Sequence, residues 1–226
     1  ARGYSLHQYL AGKYGRGRFG TTEVNDLIDK VQTKAAGRGY NLLMLLWPVS
    51  ANISGNHLWQ GVDPSIDPTR FDVSVWALLE DVFDAAAAEG IYVFPFAGLA
   101  HQDSDRPSSD AEWQIYLRYL AARLGPYWNV FGYSLTWEYH DIYSDSRADW
   151  ILSTLDGYLD PLPQPPLLSV HDHSDNSFQG WLDFSMRQLQ SRTVFDGNIH
   201  GGGQQGGVDS NFTDDPILGS EDIWEY

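Results

Sequence analysis

The chain contains no cysteine, which excludes disulfides and thiolate metal sites alike. Lysine is nearly absent: three occur beside eleven arginines, and 14 basic against 30 acidic residues give a formal charge of −16. A surface of that sign repels phosphate, so nucleic acid and anionic membranes are not expected as partners, and a neutral or cationic ligand is. No apolar run reaches the ~20 residues of a membrane span, and no signal peptide is visible at the start. Glutamate is scarce as well, with seven residues against 23 aspartates, so the place of each one carries information.

Aromatic residues are plentiful: nine Trp, thirteen Tyr and ten Phe. Such rings fill cores, and they also stack on the faces of sugars. At 226 residues the chain fits one domain, 1–226, with a sizeable core.

Helical and strand patterns alternate along it. Thr21 or Thr22 can cap a first helix whose apolar positions Val24, Leu27, Ile28 and Val31 follow helical spacing up to Gly37. Residues 72–89, 110–124 and 147–159 read as further helices. Strands are expected at 40–47, 91–96, 130–138, 165–171, 181–186 and 216–220. Several of these runs are continuously apolar rather than alternating, the mark of a parallel sheet buried on both faces. Pro95 is unusual inside a central strand and more natural near its end. The pattern predicts an α/β fold of the (β/α)8 TIM-barrel type. No strand is found before Thr21 or after Glu221, so the first and last strands are expected to be missing and the single catalytic barrel domain to be truncated at both ends. An open α/β sheet is the rival architecture.

Two of the seven glutamates, Glu138 and Glu221, end strand-like runs. Carboxylates at the C-terminal ends of parallel strands are where a β/α barrel keeps its chemistry, and two on different strands equip a glycoside hydrolase. Trp137 and Tyr139 flank Glu138 and can hold its carboxyl against an apolar wall, raising its pKa to that of a proton donor. Glu221 follows small residues and can attack an anomeric carbon; Glu225 competes for that role. Histidines gather at strand ends: His101, His140, and the pair His171 and His173. They can donate hydrogen bonds to sugar hydroxyls. The alternative is a zinc site of His101, His171 and His173 with Asp103 or Asp105, as in metal-dependent hydrolases. Trp47, Trp59 and Trp224 are candidate stacking platforms, whereas Trp76, Trp113 and Trp150 lie in helices and are expected to pack. Arg187 and Gln188 follow the sixth strand and can reach substrate hydroxyls, or Arg187 can pair with Asp183. The glycine-rich stretch 201–207 lacks the lysine of a P-loop and reads as a mobile loop.

Taken together, the two glutamates resemble those of the retaining (β/α)8 glycoside hydrolases, whose acid/base follows strand four and nucleophile strand seven. Within that clan the chain is most similar to the apiosidase-like bacterial glycosidases. The likeness is carried by residues 4–10, by Gly39, Tyr40 and Asn41, by His171 with residues 181–184, and by residues 216–221. It implies Glu138 as acid/base, Glu221 as nucleophile, a carbohydrate substrate from plant, algal or microbial polysaccharide, and no cofactor. The clan commonly places Asn before its acid/base to meet the sugar 2-hydroxyl. Trp137 stands there in this chain, so that contact comes from elsewhere or the substrate differs. The expected location is secreted or periplasmic. A glycan-binding barrel without turnover is the reading from another class.

Overall fold

A computed structural model of the chain describes residues 3–5, 21–46, 58–62, 65–96, 106–135, 139–172 and 183–187. Eight strands are assigned there: β1 (Gly3–Ser5), β2 (Leu42–Leu46), β3 (Trp59–Val62), β4 (Ser65–Phe71), β5 (Tyr92–Phe96), β6 (Gly132–Ser134), β7 (Leu167–Asp172) and β8 (Phe184–Arg187). The α-helices are α1 (Thr21–Lys30), α2 (Val73–Ala88), α3 (Asp110–Leu124) and α4 (Asp145–Leu159). A π turn and a 3₁₀ turn continue α1 to Arg38.

Strands β1, β2 and β5 form one parallel sheet, and β6, β7 and β8 another. A parallel bridge between Val93 and Val130 joins the two. The Val93 amide donates to the Asn129 carbonyl at 2.7 Å, and the Phe131 amide donates to the Val93 carbonyl at 2.8 Å. Pro95, two residues on and turned to the same side, has no N–H to offer, and the Phe131 carbonyl accepts from the Leu167 amide of β7 instead. The parallel strands therefore run β1-β2-β5-β6-β7-β8 in chain order, with no reversal among the described residues. A doubly wound open sheet reverses its order at a switch point; consecutive order is that of a β/α barrel.

The structure departs from the sequence expectations at three places. A first strand is present: Gly3–Ser5 pairs with Leu42, Leu43 and Met44. It escapes a search for apolar runs because it is three residues long and holds its place by the ladder to β2. Of the expected strand 130–138, the assigned part is Gly132–Ser134, ending before Leu135, and 136–138 lie outside the described residues. Gly132 is required there, since a Cβ on it would lie 2.4 Å from the Leu167 carbonyl oxygen. Finally, an unexpected antiparallel hairpin, β3–β4, follows β2, with a register shift after Trp59. Among the described residues no strand carries the expected run 216–220, which lies outside them.

The helices form where capping and core faces agree. Asp72 caps α2 by accepting from the amides of Ser74 and Val75, and Ser109 with Glu112 forms a capping box on α3. The α1 extension and α2 end alike: the Tyr40 amide reaches Ala35 O and the Ile91 amide reaches Ala86 O, with Gly39 (φ 74°) and Gly90 (φ 70°) in the left-handed conformation. Inward helix residues such as Leu27, Trp76, Phe83, Trp113, Leu117 and Ile151 pack against Leu43, Val93, Tyr133, Leu168 and Val170 of the sheet. Alternation puts Phe94, Ser134 and Ser169 on the opposite sheet face, and they too are buried, as a parallel sheet enclosed on both sides requires.

Asn129 fastens the junction of the two half-sheets. Fully buried, its amide donates to Phe83 O at 3.0 Å and Ile91 O at 3.2 Å, tying α2 to the entry of β5. Its Oδ1 has no partner, which tempers the net gain. Asn129→Ala is expected to lower stability by about 2 kcal/mol in urea unfolding; a change under about 0.5 kcal/mol, the range of ordinary surface substitutions, would refute this role.

Candidate active site

The parallel order brings the C-terminal ends of the described strands to one edge, and several of the sequence-predicted residues come next in the chain after those ends. Trp47 follows Leu46 of β2 directly, and His101 comes five residues after Phe96 of β5. Trp137 and Glu138 come three and four residues after Ser134 of β6. His171 is the penultimate residue of β7, in register with Met186, and His173 follows β7 directly. Arg187 is the last residue of β8 rather than one beyond it, in register with Asp172. With β1 in place, β6 is the fourth parallel strand in chain order. Trp47, His101, Trp137, Glu138, His173, Glu221 and Trp224 themselves lie outside the described residues, as do Glu225, Gln188 and the stretch 201–207.

The described walls of this edge come from the segments after β5 and β6. Tyr139 opens a 3₁₀ turn, Tyr139–Asp141, that packs beside β7. Its ring is 7 % exposed, and its hydroxyl donates to Asp145 Oδ1 in the first turn of α4 at 3.1 Å. The Tyr139 carbonyl accepts the amides of Ile142 (3.0 Å) and Tyr143 (2.7 Å). The half-buried His140 sets its ring edge against Tyr139. Tyr143 is buried against Trp113, with the Arg106 guanidinium 5.4 Å from its ring centre, so the two segments hold each other. Burial pushes the Tyr143 hydroxyl up to about 12, against the opposing pull of Arg106 and Arg147, and it stays a neutral phenol near neutral pH.

Other candidates find structural employment. Trp59 is not a platform: it is 1 % exposed, with its ring against Tyr116 of α3, because the hairpin folds it inward. Trp76 and Trp113 are core residues and Trp150 is partly buried against the core, as their helical positions suggested. Asp183 accepts from the Leu168 amide at 2.8 Å and returns its own amide to Leu168 O, which fixes the approach to β8.

Three of the seven glutamates can be set aside on geometry. Glu80 of α2 takes Arg123 of α3 in two hydrogen bonds, at 2.5 and 2.9 Å, with Tyr119 as a further partner of the arginine. Glu112 accepts from Ser108 and Ser109 in the capping box, a Ser-x-x-Glu signal legible in the sequence. Glu89 is an exposed C-cap. Among the described residues no three His, Asp or Glu side chains converge as metal ligands. No described helix is long and apolar enough to cross a membrane.

The fold is that of known glycoside hydrolase structures. A family 5 glycoside hydrolase from Bacteroides vulgatus matches with a TM-score of 0.55 at 16 % identity, over 83 % of this chain and 40 % of that one. A second putative glycoside hydrolase from Bacteroides vulgatus matches with a TM-score of 0.58 at 17 % identity, over 76 % and 36 %. The exo-β-1,4-mannosidase Op5Man5 from an Opitutaceae bacterium matches with a TM-score of 0.52 at 13 % identity, over 82 % and 37 %. The chain thus spans about 40 % of the first structure's length. No protein-family profile matches it, and no curated protein matches it in sequence.

The Glu112 assignment carries a pH signature. Its carboxyl is held below the ordinary 4.5, first by the Ser108 hydroxyl. Its contribution is therefore complete above 4.5 and lost as pH falls through the lowered folded value. In urea titrations the stability gap between wild type and Glu112→Ala is expected to be larger well above that pH than well below it; a pH-independent gap would count against the assignment.

Proposed function

We propose that the chain is the core of a retaining glycoside hydrolase in which Glu138 is the acid/base and Glu221 the nucleophile. One observation carries the reading: the described parallel strands are consecutive in space, and Glu138 comes four residues after the end of the fourth of them, β6, in the chain. With Glu80, Glu89 and Glu112 occupied or placed elsewhere, Glu138 and Glu221 remain the glutamates that end strand-like runs. The fold shared with family 5 glycoside hydrolases supports a barrel. The motifs around Gly39, His171 and Glu221 support a closer kinship with apiosidase-like glycosidases.

In this mechanism Glu138 gives its proton to the glycosidic oxygen as the C–O bond breaks. The Glu221 carboxylate attacks the anomeric carbon and forms a glycosyl-enzyme. Glu138, now ionised, takes a proton from water as that water attacks, and the sugar leaves with its original anomeric configuration while Glu221 is freed. Trp47, Trp137 and Trp224 supply stacking faces; His101, His171, His173 and Arg187 supply hydrogen bonds to hydroxyls. Tyr139 belongs to the wall behind the acid/base. The net charge of −16 favours a neutral or cationic glycan, met outside the cytoplasm. A mannosidase among the structural neighbours makes aryl β-mannosides the first substrates to try.

On a panel of aryl β-glycosides, Glu138→Gln is expected to lower kcat about 10²–10⁴-fold where the leaving group needs protonation, and much less where it does not. Added azide should restore turnover to Glu138→Ala by attacking the glycosyl-enzyme, giving a glycosyl azide of retained configuration. Proton NMR of the first-formed product should show retention. An inverted product, or full activity in Glu138→Gln or Glu221→Gln, defeats the proposal.

A further inference from the structure

We infer that Tyr92 and Trp128 form a second carbohydrate-binding site, on the sheet edge opposite the candidate active site, which takes the apolar face of a neutral sugar ring. Among the described residues three large apolar side chains stand exposed: Val73 at 57 %, Tyr92 at 42 % and Trp128 at 51 %. Val73 opens α2, whereas the two aromatic residues meet each other. Their ring centres are 5.5 Å apart and their planes stand at 80°. Such edge-to-face contact leaves both faces of one ring uncovered by its partner. Tyr92 is the first residue of β5, and Trp128 lies four residues before Gly132 of β6, so the pair marks the N-terminal ends of the strands. Along the five residues of β5, ~13 Å separates this edge from the one where that strand finishes.

The two rings are held in place as well as exposed. The Tyr92 amide donates to Asn41 O at 3.0 Å, and Ile91 and Val93 on either side are buried. Trp128 lies between Tyr127, whose ring packs on Phe83, and Asn129, whose side-chain amide donates to Ile91 O at 3.2 Å. One buried side chain thus ties the backbone beside Trp128 to the backbone beside Tyr92. A platform fixed in advance loses little freedom when a ligand arrives. Area and charge select the occupant. At these exposures the two rings offer roughly 200 Å² together, against the ~800 Å² per partner of a stable protein interface. A second copy of the chain would also bring −16 against −16. A neutral sugar meets neither obstacle. Its C–H face matches one aromatic ring in size, and the tyrosine hydroxyl and indole N–H lie at the rims of the platform, where sugar hydroxyls point. The inference does not depend on the roles of Glu138 and Glu221.

Native gels cast with a soluble neutral polymer (glucomannan, xylan or mixed-linkage β-glucan) and run in the cold test this directly. Wild type is expected to be retarded by at least one of the three. Trp128→Ala should weaken that retardation about tenfold, Tyr92→Ala should act in the same direction, and Trp128→Tyr should retain part of it. Because both positions are exposed, neither the urea midpoint nor turnover of a small aryl glycoside should change. Retardation of the alanine variants equal to that of wild type overturns the inference, as does wild type that migrates freely in all three gels. A dimer seen by sedimentation that Trp128→Ala dissolves would assign the rings to a second copy and overturn it too. Failure of the acid/base proposal reads differently: Glu138→Gln keeps both rings and should keep the retardation whether or not it keeps turnover.

Discussion

The hydrogen bonds that Val93 exchanges with Asn129 and Phe131 are the constraint on which the architecture turns. They are the described backbone pairing between β5 and β6, and so between two three-stranded sheets that also share one core. Pro95 stops the ladder one step later by having no N–H, and Asn129 secures it from below with bonds to α2 and the entry of β5. The phase of this junction decides how far each strand projects toward the common edge. A slip between the half-sheets would move the chain after β6 relative to the chain after β5.

From that junction outward, the edge is supported by side chains whose work is structural. Arg106 and Tyr143 bind the segment after β5 to the segment after β6, and Tyr139 binds the latter to α4. The ion pair of Glu80 with Arg123 does the same for α2 and α3 in the helical layer. Its side chains keep 22–23 % exposure, so it orders the helices more than it stabilises them. Part of the scarce glutamate thus serves the scaffold, and that share can be read from hydrogen bonds.

The parts legible in the sequence were those written in local pattern. Residues 110–124 announce themselves as a helix by spacing and capping, and the structure places α3 on those bounds. Strand β5 was legible because its apolar run is continuous. Strand β1 was not, since three residues carry no period and the partner that makes them a strand lies some forty residues on. The hairpin was hidden too. Pro68 sits in β4, and Asp67 accepts from the Thr69 amide and hydroxyl, so the register shifts and the alternation breaks. At the site, the edge was legible because parallel strands end there in order. The place of Tyr139 was not, because its meaning lies in an oxygen six residues away on another element. Trp59 misled for the same reason: a tryptophan beside a strand end looks available until a hairpin turns it inward.

The central claim is that two carboxylates on separate strands share one bond to break. It is tested most directly by a crystal structure in which the separation of the Glu138 and Glu221 carboxyl groups is measured. The account predicts ~5–5.5 Å across an open pocket. A separation of ~6.5–9.5 Å would contradict retention, and one beyond about ten ångströms, or either group locked in a buried ion pair, would contradict the pairing itself.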